Sequence, residues 1–594
     1  MDRRAFLKAT SATGALAWLG PRDLAAQTSS SASTLSESYV SSVPFILDPA
    51  LYGLSDQERL TLFAVNPAAT PAQQAALYPQ SVASGDPRPD GIVLWTRVEP
   101  TLQQSPSNDM LAWQISADPT FTAASILIEG VALISPYKDA TVKFSVANAV
   151  LHPFTIYFYR FLYNTIPSRP GRFKTLPLAT ASLAQLKLGQ IVCQDYGSGY
   201  YNAFQYLAQE EVDYVVHLGD YIYETISSAN FQNNPVRAVP PFATGGSIPQ
   251  TVDDYRHLYK VYRSDISQQA VHERFAYILL WDDHEFANDC HQDFHPDNDD
   301  AANTAATPQP ALRQAANQAW SEYGLADVTF TPSGNSNWET SIQVYRTFSF
   351  GTLAQMIVTD ERLYRDGPPC GSNLIGQRYF SPGCGEMHNS SRTMLGLTQR
   401  QWFLNQLTST KATWKLWANE VMLMQLKLAF VYVDLDQWDG YQGERNLILN
   451  AVKHGNIKNF VALTGDLHTF LAGYLKTDFS NPFEAPVGIE LMVGSITSAN
   501  FSEEINAVIP LPSSPLPAKQ MGVPADLVED VITAANPWIK FWDSSTHGYA
   551  ILTITPAQLT CQFKAVSTIT EPTSTLSTLR TFTIPVNQVH LNQS

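Results

Sequence analysis

From residue 213 onward, five apolar runs each stop on an acid. They are DYVVHLGD ending at Asp220, AYILLWDD at Asp282 and Asp283, LAQMIVTD at Asp360, TWKLWANE at Glu420 and NFVALTGD at Asp466. Runs this apolar are buried on both faces, as strands are when helices flank a largely parallel sheet. In such folds ligands bind outside the carboxyl ends of the strands, so these acids converge on one rim. Gathering several carboxylates there is costly unless cations sit against them. The pattern therefore demands an α/β fold and positive charge at its rim.

Helical stretches separate the runs. LGQIVCQ and DYVVHLGD bracket the helical YYNAFQYLAQEE, and QPALRQAANQAWSEYG and TQRQWFLNQLTS lie between later runs. This is the grammar of an α/β domain over residues 181–590. Residues 46–180 read differently. GIVLWTRV, LAWQISAD, ASILIEGV, ATVKFSVA and TIYFYRFLY recur between proline, aspartate and glycine turns, and several alternate apolar with polar residues. They predict a small β-sandwich without chemistry of its own.

The start of the chain has another purpose. MDRRAFLKAT sets Arg3 and Arg4 ahead of a short apolar segment, and DLAAQ offers small residues for cleavage near Ala26. Residues 1–26 read as a twin-arginine export signal, implying the twin-arginine export machinery as a partner and a periplasmic or secreted product. A serine-rich linker follows over residues 27–45. Beyond the start, no apolar run is long enough to cross a bilayer. The formal charge of −17 argues against stable nucleic-acid binding, which needs basic surface. A phosphorylated small substrate is compatible with that charge if bound cations reverse the local field. Of the five cysteines, Cys370 and Cys384 are placed to close a loop after export.

The chemistry-bearing residues cluster at the strand ends. VCQDY supplies Cys193 and Asp195, HLGDYIYE supplies Asp220 and Tyr223, and WDDHEFAND supplies Asp282, Asp283, His284 and Asn288. VTDERLYRDG adds Asp360, Arg362 and Arg365, and TGDLHT adds Asp466 and His468. Singly, each has an ordinary use: a core cysteine, an aspartate capping a turn, a hydrogen-bonded histidine. Jointly, at successive strand ends, they point to metal. Thiolate, phenolate and carboxylate together suit a ferric ion, and carboxylates with amide or water oxygens suit calcium or magnesium. Two cations sharing one carboxylate make a site for in-line displacement at phosphorus.

These blocks resemble those of the calcineurin-like metallophosphatases, which usually read GDxxx, GNHE and GHxH. HLGDYIYE, WDDHE, TGDLHT and SVASGDPRPDGIVLWTRV together resemble the alkaline phosphatase D (PhoD) branch. The resemblance implies a four-layer αββα catalytic domain preceded by a small all-β sandwich of fibronectin III or immunoglobulin type. It implies hydrolysis of phosphate monoesters and diesters by a metal-held hydroxide, with Fe3+ and one or two Ca2+. Carried over by block, Cys193, Asp220, Tyr223, Asp283, Asp466 and His468 are metal ligands, with Asp220 bridging. Asp195 is a further ligand, standing where many relatives have asparagine or glutamine. His284 takes the charge-stabilising place, and Asp360 and Arg362 form a DxR block in which Arg362 or Arg365 holds a phosphate oxygen. Asn419 and Glu420 compete for a metal-proximal position, and His547 either lines the site or begins a strand. Two other readings share these residues: a phospholipase D-like phosphodiesterase acting on phospholipid head groups, and a non-catalytic, calcium-holding surface binding protein.

Overall fold

The computed structural model describes residues 45–46, 55–103, 109–226, 235–296, 308–331, 338–428, 430–508 and 525–594. The export segment read at 1–26, and the serine-rich linker up to residue 44, lie outside the described residues.

After two short helices, Asp56–Leu62 and Pro71–Leu77, the N-terminal region is built of strands from Val82 to Lys174. Its strands are β1 (Val82–Arg88), β2 (Gly91–Arg97), β3 (Met110–Ser116), β4 (Ile126–Leu133), β5 (Thr141–Ala147), β6 (Ile156–Tyr163) and β7 (Gly171–Lys174). β4, β3, β6 and β7 pair antiparallel in that order, and β1, β2 and β5 form a second antiparallel set. Aromatic rings join the two sets: Phe144 of β5 lies 5.1 Å from Trp113 and 6.2 Å from Phe161. This is the face-to-face packing of a β-sandwich.

The α/β region begins with the parallel strands β8 (Leu186–Ile191), β9 (Tyr214–His217) and β10 (Ala276–Leu279). It continues with β11 (Arg346–Phe350), β12 (Ala354–Val358), β13 (Trp414–Ala418), β14 (Phe460–Thr464), β15 (Phe470–Leu475) and β16 (Gly488–Met492). β17 (Ile539–Asp543), β18 (His547–Ile554), β19 (Gln558–Val566) and β20 (Leu576–Pro585) follow, and the two-residue strand Asn592–Gln593 pairs on the edge of β20. One sheet runs β20-β19-β18-β8-β9-β10-β1-β2-β5, and the other runs β11-β12-β13-β14-β16-β15-β17. The sandwich thus shares a sheet with the α/β region. β1 pairs in parallel with β10, Ala276 opposite Ser84 and Tyr277 opposite Gly85. Gly85 is needed there, because a Cβ would stand 2.0 Å from the Leu325 carbonyl oxygen.

The two large sheets face each other. Gln190 of β8 donates from Nε2 to the carbonyl of Thr464 on β14 at 3.2 Å. Tyr214 lies 5.5 Å from Phe350, and Phe470 lies 5.2 Å from Phe563. Helices Val252–Tyr262, Ile266–Arg274 and Pro310–Tyr323 cover the outer face of the first sheet, sharing a core with Val215, Tyr277 and Leu279. Helices Leu397–Ser409 and Gln442–His454 cover the second, packing with Trp417, Ala462 and Met492. Local sequence starts the helices on the first sheet: Thr251 forms a capping box with Asp254, Asp265 caps its helix, and Pro310 occupies a first-turn position. The result is the four-layer α/β architecture that the resemblance implied.

Candidate metal centre

The strand-end acids meet. Cys193 follows β8, Asp220 follows β9, and Asp466 and His468 follow β14. All four have left-handed backbones, with φ of 53°, 55°, 65° and 51°. Such conformations are uncommon for residues with a Cβ and gather at functional sites, where the surrounding fold enforces them. Here each lies in the turn that carries the chain off its strand.

Around Asp220 the donors divide by oxygen. Its Oδ2 accepts from the Cys193 thiol at 3.4 Å and from the Tyr223 hydroxyl at 3.0 Å. That hydroxyl also lies 3.0 Å from His468 Nε2. Its Oδ1 accepts the His284 backbone N–H at 3.3 Å, on the side where Asp283 and His284 stand. Ligand atoms of Cys193, Asp220 and His468 lie within 4.8 Å of one another, as do those of Asp220, Asp283 and His284. Asp220 belongs to both groups. Burial above all pushes its carboxyl up to about 7, with Asp283 and Asp466 adding to the rise against the pull of His284 and His468. Burial, with Asp220 beside them, also holds the Cys193 thiol and the Tyr223 phenol well above their ordinary values. Both groups stay protonated unless a cation displaces the protons.

The imidazoles are oriented by acids. Glu224 Oε2 lies 2.6 Å from His284 Nδ1, and the His284 ring sits 4.0 Å from the Tyr223 ring. Burial works against a charged His284, but Glu224, Asp220 and Asp283 outweigh it and hold the pKa well up. His468 Nδ1 meets the Ala499 carbonyl at 2.6 Å and Glu504 at 2.9 Å. Glu504 overcomes burial there and raises His468 to about 9. Glu285 ties the two central blocks together. Its carboxylate accepts the N–H groups of Asp220 (3.1 Å), Tyr221 (2.6 Å) and Asp282 (2.7 Å).

Arg362 sits among carboxylates. Its Nε donates to Asp282, its Nη1 to Asp436, and its Nη2 to Asp466 Oδ1 at 2.7 Å, with Asp283 Oδ1 at 3.6 Å. Its side chain is wholly buried. Arg365 is as buried and donates to Asp436 Oδ1 at 2.5 Å and to the carbonyls of Asp289 (2.8 Å) and Cys290 (3.0 Å). The two guanidiniums, against the cost of burial, hold Asp436 well below the carboxylate range. Asp360 accepts the turn N–H groups of Arg362 (3.0 Å) and Leu363 (2.9 Å), which shapes the DERL turn.

The remaining candidates are in none of these ligand groups. Asp195 accepts from the Tyr262 hydroxyl (3.0 Å), the Gly197 N–H (3.0 Å) and the Ser198 hydroxyl (2.6 Å). Asn419 accepts from Trp438 Nε1 at 3.0 Å, and Glu420 accepts the Glu361 N–H at 2.8 Å. His547 begins β18 and meets Ser495 Oγ at 3.0 Å. Cys370 and Cys384 form the disulfide, leaving Cys193, Cys290 and Cys561 as thiols. Sequence reasoning missed Glu224, Glu285, Glu504, Asp289 and Asp436. Glu224, Glu285 and Asp289 lie inside the blocks HLGDYIYE and WDDHEFAND and were passed over there. Asp436 follows the short strand Val431–Asp434, with no long apolar run to mark it.

Comparison with known proteins gives the family of the chain. The profile of the PhoD-like phosphatase family matches residues 188–563, and that of the PhoD-like phosphatase N-terminal domain matches residues 64–177. The chain is 31% identical over 549 residues to alkaline phosphatase D of Bacillus subtilis (strain 168), covering 91% of this chain and 86% of that protein. A solved structure of PhoD superposes with a TM-score of 0.75 at 30% identity, covering 89% of this chain and 93% of that one. With family profiles over both regions and relatives similar along most of its length, the chain belongs to the PhoD-like phosphatase family and is a phosphatase.

Proposed function

We propose that this phosphatase is an exported, metal-dependent enzyme that hydrolyses phosphate monoesters and diesters at an Fe3+ site joined by Asp220 to one or two Ca2+ ions. One observation carries the reading: the two oxygens of Asp220 face different donor sets, thiol and phenol on one side and the Asp283–His284 block on the other. A bridging carboxylate has this geometry. The donor chemistry fits the ions. Cys193, Tyr223, His468 and Asp220 offer sulfur, phenol, imidazole and carboxylate, suited to a strongly acidic trivalent ion that ionises its ligands. Asp220 and Asp283 offer oxygen alone, suited to Ca2+. Arg362 holds Asp466 and Asp282 at their places beside that pair.

Cations held by Cys193, Asp220, Tyr223, His468 and Asp283 would supply Lewis-acid activation of water and neutralise charge on the phosphoryl oxygens. The protein supplies position and a proton. Glu224 takes Nδ1 of His284, so the proton His284 gives to a phosphoryl or leaving-group oxygen is the one on Nε2. The charge that Glu224, Asp220 and Asp283 induce on that ring favours donation. Glu504 fixes the His468 ring so that Nε2 faces Tyr223 and the first group. Arg362 and Asp360 act as positioning residues, Arg362 bracing the acids and Asp360 shaping the turn that carries it. The twin-arginine segment supports a periplasmic or secreted location.

The test is hydrolysis of a chromogenic phosphate monoester and the matching diester by mature protein, with metal analysis, for the natural chain and for Asp220→Asn. Calcium-stimulated turnover with iron present is expected, and Asp220→Asn is expected to lose turnover and metal together. A metal-replete, active Asp220→Asn protein would refute the bridging role.

A further inference from the structure

The loop closed by Cys370 and Cys384, itself outside the recognised motifs, reaches the metal centre. Between the two cysteines the chain is exposed or half-buried except at Arg378 and Ser381. Arg378 Nη1 donates to Asp289 Oδ2 at 2.5 Å, and the Tyr379 hydroxyl lies 2.9 and 3.0 Å from the two oxygens of the same carboxylate. Asp289 carries a left-handed backbone, with φ of 53°, and its N–H donates to Asp283 Oδ2 at 2.6 Å. The strained residue is thus gripped by its side chain while its backbone holds Asp283.

The same loop supports the other flank. Tyr379 and Ser381 pair antiparallel with Asp434 and Tyr432, and the Arg378 carbonyl accepts the Leu435 N–H at 2.8 Å. Asp434 in turn accepts the Asp436 N–H at 2.7 Å. Asp436 anchors Arg362 and Arg365, and Arg362 holds Asp466. Two chains of contacts therefore run from one surface loop to the calcium side of the centre. None of these contacts involves Cys193, Tyr223 or His468.

We propose that the loop Cys370–Cys384 is a strap whose disulfide positions Asp283 and Asp436, through Asp289 and Asp434, and so sets the affinity for Ca2+ without setting that for iron. The inference rests on the two-cation reading above. The physical reason is entropic. Opening the loop frees the backbone that presents Arg378 and Tyr379, and a left-handed Asp289 no longer held by them relaxes. Groups that orient metal ligands from behind commonly change metal affinity by about 10–100-fold when lost.

The experiment titrates Ca2+ into iron-loaded, calcium-stripped protein by calorimetry, with visible absorption reporting the iron site. It compares the natural chain with Cys370→Ser/Cys384→Ser and with Tyr379→Phe, which keeps the disulfide. The double variant is expected to bind Ca2+ about 10–100-fold more weakly with its iron absorption intact. Tyr379→Phe is expected to weaken binding about 3–10-fold, the worth of one hydrogen bond. Unchanged Ca2+ affinity in the double variant overturns the strap alone. Parallel loss of iron and Ca2+ overturns its selectivity for the calcium side. A natural chain that binds iron but no Ca2+ overturns both the strap and the two-cation reading.

Discussion

Arg362 separates two accounts of the DER motif. As a phosphate-binding residue it would face the substrate, yet the structure sets three of its nitrogens on three carboxylates, Asp282, Asp436 and Asp466. Arg362→Lys retains the charge but offers one nitrogen in place of a planar fork. A lysine reaching one acid leaves the other two carboxylates without their bond to residue 362, in a place where the arginine is wholly buried, although Asp436 keeps Arg365. A hydrogen bond to a charged group contributes about 1.5–3 kcal/mol, so losing two costs about 3–6 kcal/mol. Breaking a buried ion pair independently costs about 3–5 kcal/mol.

The two estimates agree well enough to be tested. In urea, with a slope of about 3 kcal/mol per molar, the unfolding midpoint of metal-stripped Arg362→Lys is expected to fall by about 1–2 M. Tryptophan fluorescence follows the transition. Because Asp466 and Asp282 lose their brace, kcat is expected to fall while KM changes little. A variant with the natural urea midpoint and a KM raised about tenfold would refute this reasoning and return Arg362 to the substrate.

Two further outcomes follow from the site and its surroundings. Tyr223→Phe removes the hydroxyl between Asp220 and His468, and the visible absorption of an iron–phenolate bond is expected to vanish; a retained band would take Tyr223 off the iron. His217 is buried between Gln194 Oε1 at 3.2 Å and the Gly219 N–H at 3.3 Å, and burial pushes it down to about 3. The unfolded chain titrates near the ordinary histidine value of about 6.5, so below that pH it binds a proton that the folded chain refuses. Stability therefore falls as pH drops from about 6.5 toward about 3, with a limiting slope of about 1.4 kcal/mol per unit. His217→Asn is expected to flatten that fall between about pH 6 and 4 by about 2 kcal/mol in urea titrations, and parallel curves for the two proteins would exclude His217 as a source.

What the sequence made legible were features encoded within a few residues. An apolar run followed by an acid states both a buried strand and the end at which its acid lies, so the pattern alone puts Asp220, Asp283 and Asp466 at strand ends on one rim. The spacing from Asp220 to Tyr223 is short enough for one turn to return the hydroxyl to the carboxylate, and it does so at 3.0 Å. The rim itself hid the partners. Glu420 ends its run just as Asp466 does, yet it exchanges hydrogen bonds with Glu361, each carboxylate accepting the other's N–H, at 2.8 and 3.2 Å. The same limit applied to β1, one edge of which pairs with the neighbouring β2 and the other with β10 far along the chain. Arg362 shows why the limit is general. Its bearing is decided by Asp436, which comes from a segment without an apolar run and is fixed partly by a disulfide loop. Hydrophobic pattern reports which end of a strand a side chain occupies. Which charge it meets there is settled by segments that the pattern does not connect, so the strand-end acids were found by reading, and the acids that brace them only by geometry.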